Sequence, residues 1–232
     1  MAFIIACASS KGGCGKTTLA VAMAGVYASN GSSVLLLDAD TRKRLEEEWY
    51  NAKSVHPMIK VLSVGADDIS KVCQANQDTF DVIIIDVEGS ANWALAKALM
   101  AADFTLIPAK VSYQDVKDAW KVYETVKGFN DESRRYRHCW IIWNGLPPAI
   151  RSREMTNTMA EAVRDGLPVL AAITELDAFR ALFSYQTTLD VLKANTDPET
   201  KIPSAKRAEA EIAHLITLMH DKMSEKQTEE AA

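Results

Sequence analysis

Residues 9–18, Ser-Ser-Lys-Gly-Gly-Cys-Gly-Lys-Thr-Thr, combine glycine, lysine and threonine at a spacing suited to binding phosphate. Glycines at this density let backbone N–H groups approach an anion closely, and the segment joins the apolar run 2–8 to a helical pattern over 17–29. A lysine at the position of Lys16 reaches the β- and γ-phosphates of a nucleotide, and a hydroxyl at the position of Thr17 is a ligand for Mg²⁺. The pattern predicts a nucleotide-binding loop made of Gly12, Gly13, Cys14, Gly15, Lys16, Thr17 and Thr18.

The loop departs from the most general phosphate-loop pattern in one place. That pattern, G-x-x-x-x-G-K-[ST], requires glycine where this chain has Ser10, whereas the form Lys-Gly-Gly-x-Gly-Lys-Thr-Thr is matched in full. The full match adds a second lysine, Lys11, ahead of Lys16. A glycine-rich turn that binds nothing is the alternative, and the strand and helix patterns on either side of the loop disfavour it.

Acidic residues follow two further apolar runs. Asp38 and Asp40 come at the end of the run 34–37, and two carboxylates so placed repel each other unless a cation or a water network lies between them. A polar strand exit in which Asp38 caps the next helix is the alternative. The run 82–85 is followed directly by Asp86, which would hold Mg²⁺ through water. Glu88 is either a second catalytic base or a solvated loop acid.

Strand and helix patterns alternate along the chain, which predicts βαβ units in a doubly wound, mostly parallel α/β sheet with helices on both faces. The predicted strands are 2–8, 34–37, 60–64, 82–85, 104–107, 139–143 and 169–173. The predicted helices are 17–29, 45–51, 67–76, 92–101, 114–127, 156–165 and 204–223. Ligands of such sheets bind at the carboxyl ends of the strands. We expect one domain over 1–223 and a disordered tail over 224–232, which is rich in Glu, Lys and Gln.

In these motifs the chain resembles the ParA/MinD family of deviant Walker A ATPases, which have P-loop NTPase folds. After Asp86 it has Gly89-Ser90, which resembles most closely the small plasmid-partition ParA-type and T-DNA transfer VirC-type members, since these place Gly-Ser or Gly-Gly there. The resemblance implies ATP and Mg²⁺ as ligands and a homodimer closed around two nucleotides. In that dimer Lys11 would cross to the partner's nucleotide, while Asp40 orients the attacking water and Asp38 supports the metal site. The implied catalytic residues are Lys11, Lys16 and Asp40, and the implied metal residues are Thr17, Asp40 and Asp86.

The resemblance extends to the base of the nucleotide and shows two departures. The family uses an amide matching Asn144 to bind adenine, although an asparagine at a strand end is also a common cap. Thr41 and Arg42 stand where family members often have Pro-Gln. The arginine often found just before the Ala-Phe pair is missing here, and Asp177 precedes Ala178 instead.

The implied partners are a small centromere-binding adaptor and nonspecific DNA, with no membrane. The net charge of −5 excludes a uniformly basic DNA-coating surface, so any DNA contact must be regional. Lys206 and Arg207, outside the predicted nucleotide pocket, are the candidate DNA contacts; a solvated basic face is the alternative. Helix 204–223 carries a core stripe of Ile212, Leu215, Ile216 and Met219.

We expect a cytoplasmic protein, associated with the nucleoid in its ATP state. The apolar N-terminal run has no basic region before it, which disfavours a signal peptide, and no apolar run is long enough to span a membrane. The cysteines form no C-x-x-C pair, so zinc or iron–sulfur ligation is not indicated. They are Cys7, Cys14, Cys73 and Cys139.

The function predicted from these features is an ATP-dependent dimerisation switch that segregates DNA. One alternative is a related ATPase that positions another cargo or assists DNA transfer. A reductase of the nitrogenase iron-protein type would need cysteine ligands at a dimer axis, a context that Cys73 and Cys139 lack. A scaffold with a dead nucleotide site is disfavoured because the site residues are intact, namely Lys16, Thr17, Asp40 and Asp86.

Overall fold

The computed structural model describes residues 1–40, 45–50, 55–89, 93–133 and 135–231. Its centre is a seven-stranded parallel sheet in the order β3-β2-β4-β1-β5-β6-β7. The strands are β1 (Phe3–Cys7), β2 (Val34–Ala39), β3 (Ile59–Ser63), β4 (Val82–Val87), β5 (Phe104–Ala109), β6 (His138–Leu146) and β7 (Val169–Thr174). The predicted doubly wound α/β fold is confirmed.

Helices cover both faces of this sheet. They are α1 (Lys16–Ser29), α2 (Ile69–Asn76), α3 (Trp93–Ala101), α4 (Tyr113–Glu132), α5 (Arg153–Arg164), α6 (Asp177–Ser184), α7 (Leu189–Ala194) and α8 (Ala205–Ala231). Helices α1, α6, α7 and α8 build the core on one face, and α2 to α5 build it on the other. Strands β2 and β4 are buried along their whole length. A central parallel strand is covered on both sides, which is why these runs are continuously apolar rather than alternating.

The structure differs from the sequence predictions at 45–51 and in the stretch that forms α6 and α7. The helix expected over 45–51 is a π-helical segment, Leu45–Tyr50, and Asn51 lies outside the described residues. Helices α6 and α7 were not predicted, because each is too short to give a clear helical period. Thr41, Arg42, Asn92 and Arg134 also lie outside the described residues.

Helix α8 continues to Ala231 and so includes residues 224–231 of the tail that the sequence predicts to be disordered. Glu, Lys and Gln are good helix formers, and Lys222 pairs with Glu225 on the same helix face, so the helix extends past the point where its apolar stripe ends. The stripe itself packs into the core as predicted, since Ile212, Leu215 and Met219 are fully buried. Within the described part of the chain, no helix is long and apolar enough to cross a membrane.

Candidate nucleotide site

The predicted phosphate loop lies between the end of β1 and the start of α1, at the carboxyl edge of the sheet. Gly13 and Gly15 have φ angles of 75° and 94°, in the left-handed region that favours glycine. A Cβ at Gly15 would lie 2.1 Å from Nδ2 of Asn144, so a side chain at this position would displace the Asn144 amide. Loop geometry and the N-terminus of α1 together present the backbone arrangement that an anion site requires.

Lys16 is buried within this loop. Its ammonium donates a hydrogen bond to the main-chain oxygen of Lys11, at 2.9 Å, and the thiol of Cys14 donates to the same oxygen at 3.4 Å. Only 6% of Lys16 is exposed to solvent. The charge is therefore held against the loop backbone, beside the amides that would bind phosphate.

Lys11, by contrast, points to a different element. Its Nζ lies 3.0 Å from Oδ1 of Asp115, in the first turn of α4, and its side chain is 44% exposed while that of Asp115 is 6% exposed. Ser112 caps α4 by accepting a hydrogen bond from the Asp115 amide at 3.1 Å. In the single chain, Lys11 is therefore paired with a residue of its own subunit, whereas the family resemblance assigns it to the nucleotide of the partner. Asp115 had no assigned role in the sequence predictions.

Asp86 lies directly beside Asp38 in the pairing of β4 with β2. Its Oδ2 accepts a hydrogen bond from the Thr17 hydroxyl at 2.7 Å, whereas its Oδ1 is buried with no hydrogen-bond partner. Burial raises the pKa of Asp86 to about 7, and the nearby Asp38 charge adds to this, while the Thr17 hydrogen bond and Lys16 act in the opposite direction. An unpartnered carboxylate oxygen beside a threonine hydroxyl fits a hard divalent cation.

Asp38 anchors the chain that follows β2. Its carboxylate accepts hydrogen bonds from the amides of Asp40, at 3.1 Å, and Leu45, at 2.9 Å. Burial is the main cause that raises the pKa of Asp38, and the two amide hydrogen bonds oppose it. Asp38 thus bonds to the first residue of the next helical segment, as in the capping alternative, and it fixes the backbone at Asp40.

Two adjoining cavities open at this edge of the sheet. One, of about 470 Å³, is lined by the phosphate loop together with Asp40, Gly89 and Phe183. The other, of about 340 Å³, is lined by Asn144 and by residues of β7 and α6. Because Gly13, Gly15, Thr18 and Phe183 line both, the cavities together have the layout of a nucleotide site, with phosphates in the first and the base in the second.

Asn144 lies in the wall of the second cavity, as expected for a residue near the base. Its Nδ2 donates a hydrogen bond of 2.7 Å to the main-chain oxygen of Cys14, so the amide is also tied to the phosphate loop. Phe179, Arg180 and Phe183 of α6 also line this cavity. Phe179 ends the stretch that the family resemblance places over the nucleotide, whereas Arg180 and Phe183 had no predicted role. Arg180 follows the Ala-Phe pair directly, whereas family members often have an arginine before that pair. The Arg180 guanidinium forms an ion pair with Glu175.

The two candidate DNA contacts have different surroundings. Lys206 is exposed at the start of α8. The Arg207 guanidinium donates to Glu211 and to the Thr174 hydroxyl, both at 2.9 Å. Thr174 lines the second cavity, so Arg207 is connected to the nucleotide pocket and does not lie apart from it as expected.

A phosphate loop after the first strand, with acidic ends on the two neighbouring strands of a parallel sheet, defines a P-loop nucleotide-binding protein of the ParA/MinD type. The chain belongs to the VirC1 protein family, whose model matches residues 1–225. It is 30% identical to Protein ParA of Rhizobium radiobacter over 194 residues, covering 82% of this chain and 86% of that protein. The resemblance stated from the motifs is confirmed.

Two further proteins are similar to this chain, one in sequence and one in fold. The maintenance of carboxysome distribution protein A of Halothiobacillus neapolitanus is 28% identical over 172 residues, covering 73% of this chain and 77% of the relative. The fold is similar to that of the McdA–ATP complex of Cyanothece, with a TM-score of 0.72 at 17% identity over 95% of this chain and 96% of the other.

Proposed function

We propose that this chain is a Mg²⁺-dependent ATPase that dimerises when it binds ATP and opens again after hydrolysis. The observation that carries the proposal is a single cavity lined by Lys16, Thr17 and Asp40, beside the unpartnered oxygen of Asp86. Such a cavity offers backbone amides and a cation to phosphate, oxygen donors to a metal and a carboxylate to water.

Each side chain has a distinct task in this mechanism. Lys16 exchanges its hydrogen bond to the Lys11 oxygen for the β- and γ-phosphates, and the amides of Gly12–Thr18 bind the remaining phosphate oxygens. Asp40 lies on the wall of the phosphate cavity and orients the water that attacks the γ-phosphate. Asn144 contacts the adenine from the second cavity.

Thr17, Asp86 and Asp40 supply the oxygen donors for Mg²⁺. When bound, the ion neutralises charge on the β- and γ-phosphates. Asp86 must be ionised to serve in this way, and the Thr17 hydrogen bond and the Lys16 charge both favour its ionised form. Asp38 keeps Asp40 in place from the same strand end.

Dimerisation would use Lys11. The side chain is partly exposed and is held by one ion pair to Asp115, so it can leave that partner for the phosphate of a second subunit. A nucleotide enclosed by two chains explains why ATP would set the association state, since each site would be complete only in the dimer.

The cargo proposed for this switch is DNA. In its ATP state the dimer would bind nucleoid DNA without sequence preference in the cytoplasm, and a small centromere-binding adaptor would stimulate release. The relative named Protein ParA supports this role. A second candidate, favoured by the VirC1 family model and by the carboxysome-distribution relative, is the positioning or transfer of another cargo by the same ATP cycle.

The ATPase proposal is tested by comparing the wild type with Lys16→Ala and Asp40→Ala. We expect Lys16→Ala to lose at least about a hundredfold in ATP affinity, because a charged hydrogen-bond donor to phosphate is removed. Asp40→Ala should bind ATP normally in calorimetry yet lose about a hundredfold or more in turnover, since a water-orienting group acts mainly in the transition state. Wild-type turnover in Asp40→Ala would show that Asp40 is misassigned.

A further inference from the structure

Trp49 has an arrangement that none of the roles above explains. It lies on the π-helical segment Leu45–Tyr50, only 1% of it is exposed, and its indole N–H points at two main-chain carbonyls. The Nε1–O distances are 3.1 Å to Leu182 and 3.3 Å to Thr187. A buried indole usually finds one acceptor, and here it is shared between two that belong to another element.

Both carbonyls belong to the turn that ends α6. The amide of Thr187 bonds back to the Leu182 oxygen at 3.0 Å and that of Gln186 to the Phe183 oxygen at 3.2 Å, which is a Schellman ending. Gln186 has a φ of 47°, and it is the one non-glycine residue with positive φ in the described parts of the chain. Glycine is usual at this position, so the turn depends on outside contacts such as the Trp49 indole to keep its shape.

At its other end, the Trp49 segment is tied to the acidic strand end of β2. Leu45 donates its amide to Asp38, and Asp38 also accepts the amide of Asp40. The backbone at Asp40 and the segment that carries Trp49 therefore share one buried carboxylate. A π-helical turn is rare and is frequently found at functional sites.

These contacts join two walls of one cavity. Asp40 and Phe183 both line the phosphate cavity, Asp40 from the β2 side and Phe183 from α6. Leu182, which accepts the indole hydrogen bond, directly precedes Phe183. The Trp49 side chain is the cross-link between the two walls.

We propose that Trp49 is a positioning residue, which fixes the Asp40 wall relative to the α6 wall so that Asp40 holds its water at the γ-phosphate. The proposal rests on the proposed ATPase function. It implies that the indole N–H matters for turnover much more than for binding ATP, because the phosphate loop, Lys16 and Asn144 remain unchanged without it.

The test is Trp49→Phe, which keeps a buried aromatic ring but removes the N–H donor together with part of the indole volume, a loss of volume that the Trp140→Phe control shares. We expect kcat to fall about tenfold while KM for ATP stays within about twofold, with kcat normalised to sites that bind a non-hydrolysable ATP analogue. Trp140→Phe is the matched control, because Trp140 lies on β6 under Lys222, away from both cavities, and should leave both constants unchanged. An unchanged kcat in Trp49→Phe, or an equal loss in nucleotide binding, would overturn the proposal.

Hydrogen exchange of the wild type gives a second measurement that needs neither variant nor turnover. On addition of the non-hydrolysable analogue, exchange should slow in 45–50 and in 182–187 together. Slowing confined to 182–187 would contradict the cross-link. A wild type that binds ATP and never hydrolyses it would refute the ATPase function instead, and the exchange result would still decide whether Trp49 joins the two walls.

Discussion

At the scale of single residues, burial raises the pKa of Asp86 to about 7. It lies in the middle of the sheet, next to Asp38, and one of its oxygens has no hydrogen-bond partner. Ionisation there without a cation is unfavourable, since a buried charge loses its hydration and is repelled by its neighbour. The residue that would hold the metal is therefore a source of instability while the site is empty.

This gives a prediction for the pH dependence of the metal-free, nucleotide-free protein. The pKa of Asp86 is about 7 when folded and 3.8 for an unperturbed carboxyl, so the folded state binds the extra proton between these values. The free energy of unfolding contributed by Asp86 must then fall as the pH rises through this window. Urea unfolding at about pH 5 and about pH 8 should show a smaller fall in Asp86→Asn than in the wild type. If the free energy of unfolding fell equally with pH in the two proteins, the raised pKa of Asp86 and its cause, burial, would be contradicted.

At the scale of elements, the turn after β4 packs directly on the phosphate loop. A Cβ added at Gly89 would lie 2.7 Å from both the Cα and the N of Gly12, and 2.8 Å from the Lys11 oxygen. These are backbone atoms, which cannot move aside as a flexible side chain can. The glycine after the Asp86 strand is therefore required by the close approach of two loops.

Gly89→Ala should displace the phosphate loop and lower ATP affinity by about tenfold or more, a change of at least about 1.4 kcal/mol in binding. Gly65→Ala is the matched control, because Gly65 follows β3 in the same way and an added Cβ there meets no atom within 4 Å. Calorimetric titration of both variants measures the difference. Similar affinities in the two would mean that the turn can shift without disturbing the loop.

The first turn of α4 positions the second lysine of the phosphate loop, because Asp115 forms an ion pair with Lys11 within the single chain. The cap at Ser112 fixes the start of the helix and hence the carboxylate. Release of Lys11 from this helix is the local step that would make the lysine available to a second subunit.

At the scale of the whole molecule, Lys11→Ala should bind ATP as a monomer but fail to form the ATP-dependent dimer. The reason is that its proposed target, a phosphate, lies on the other chain. Sedimentation velocity with and without ATP measures this, and Asp115→Asn serves as the companion because it weakens the hold on Lys11 and should leave dimer formation possible. A complete ATP-dependent dimer in Lys11→Ala would argue against a role in trans.

DNA binding is the other prediction at this scale. Wild-type binding to nonspecific duplex should require ATP and weaken steeply with salt through counterion release. Lys206→Glu should lower that affinity with basal ATPase unchanged, whereas Arg207→Glu should also disturb ATP binding, because Arg207 contacts Thr174, which lines the second cavity. Retention on DNA and ATPase rates of both variants measure the two effects. No ATP-dependent retention of the wild type at low salt would favour a cargo other than DNA.

The sequence by itself determined the sheet, the phosphate loop and the acids at the strand ends. Apolar runs followed by Asp38 and Asp86 can be recognised locally, and the carboxyl ends of parallel strands share one edge, so their convergence follows from the fold class. The segment at Leu45 was predicted to be helical, although its π-helical form was not, and short α6 gave no comparable signal, because it contains too few turns to show a helical period.

Only the tertiary structure decided which distant residues support these groups. Lys11 and Asp115 are 104 residues apart, and Trp49 and Leu182 are 133 apart. Such pairs depend on how loops and helices distant in sequence pack beside one another on the sheet, which no local pattern encodes. The same reason distinguishes Arg207 from Lys206: both are exposed, and the Arg207 guanidinium reaches Thr174 on the cavity wall because successive residues of a helix face different directions.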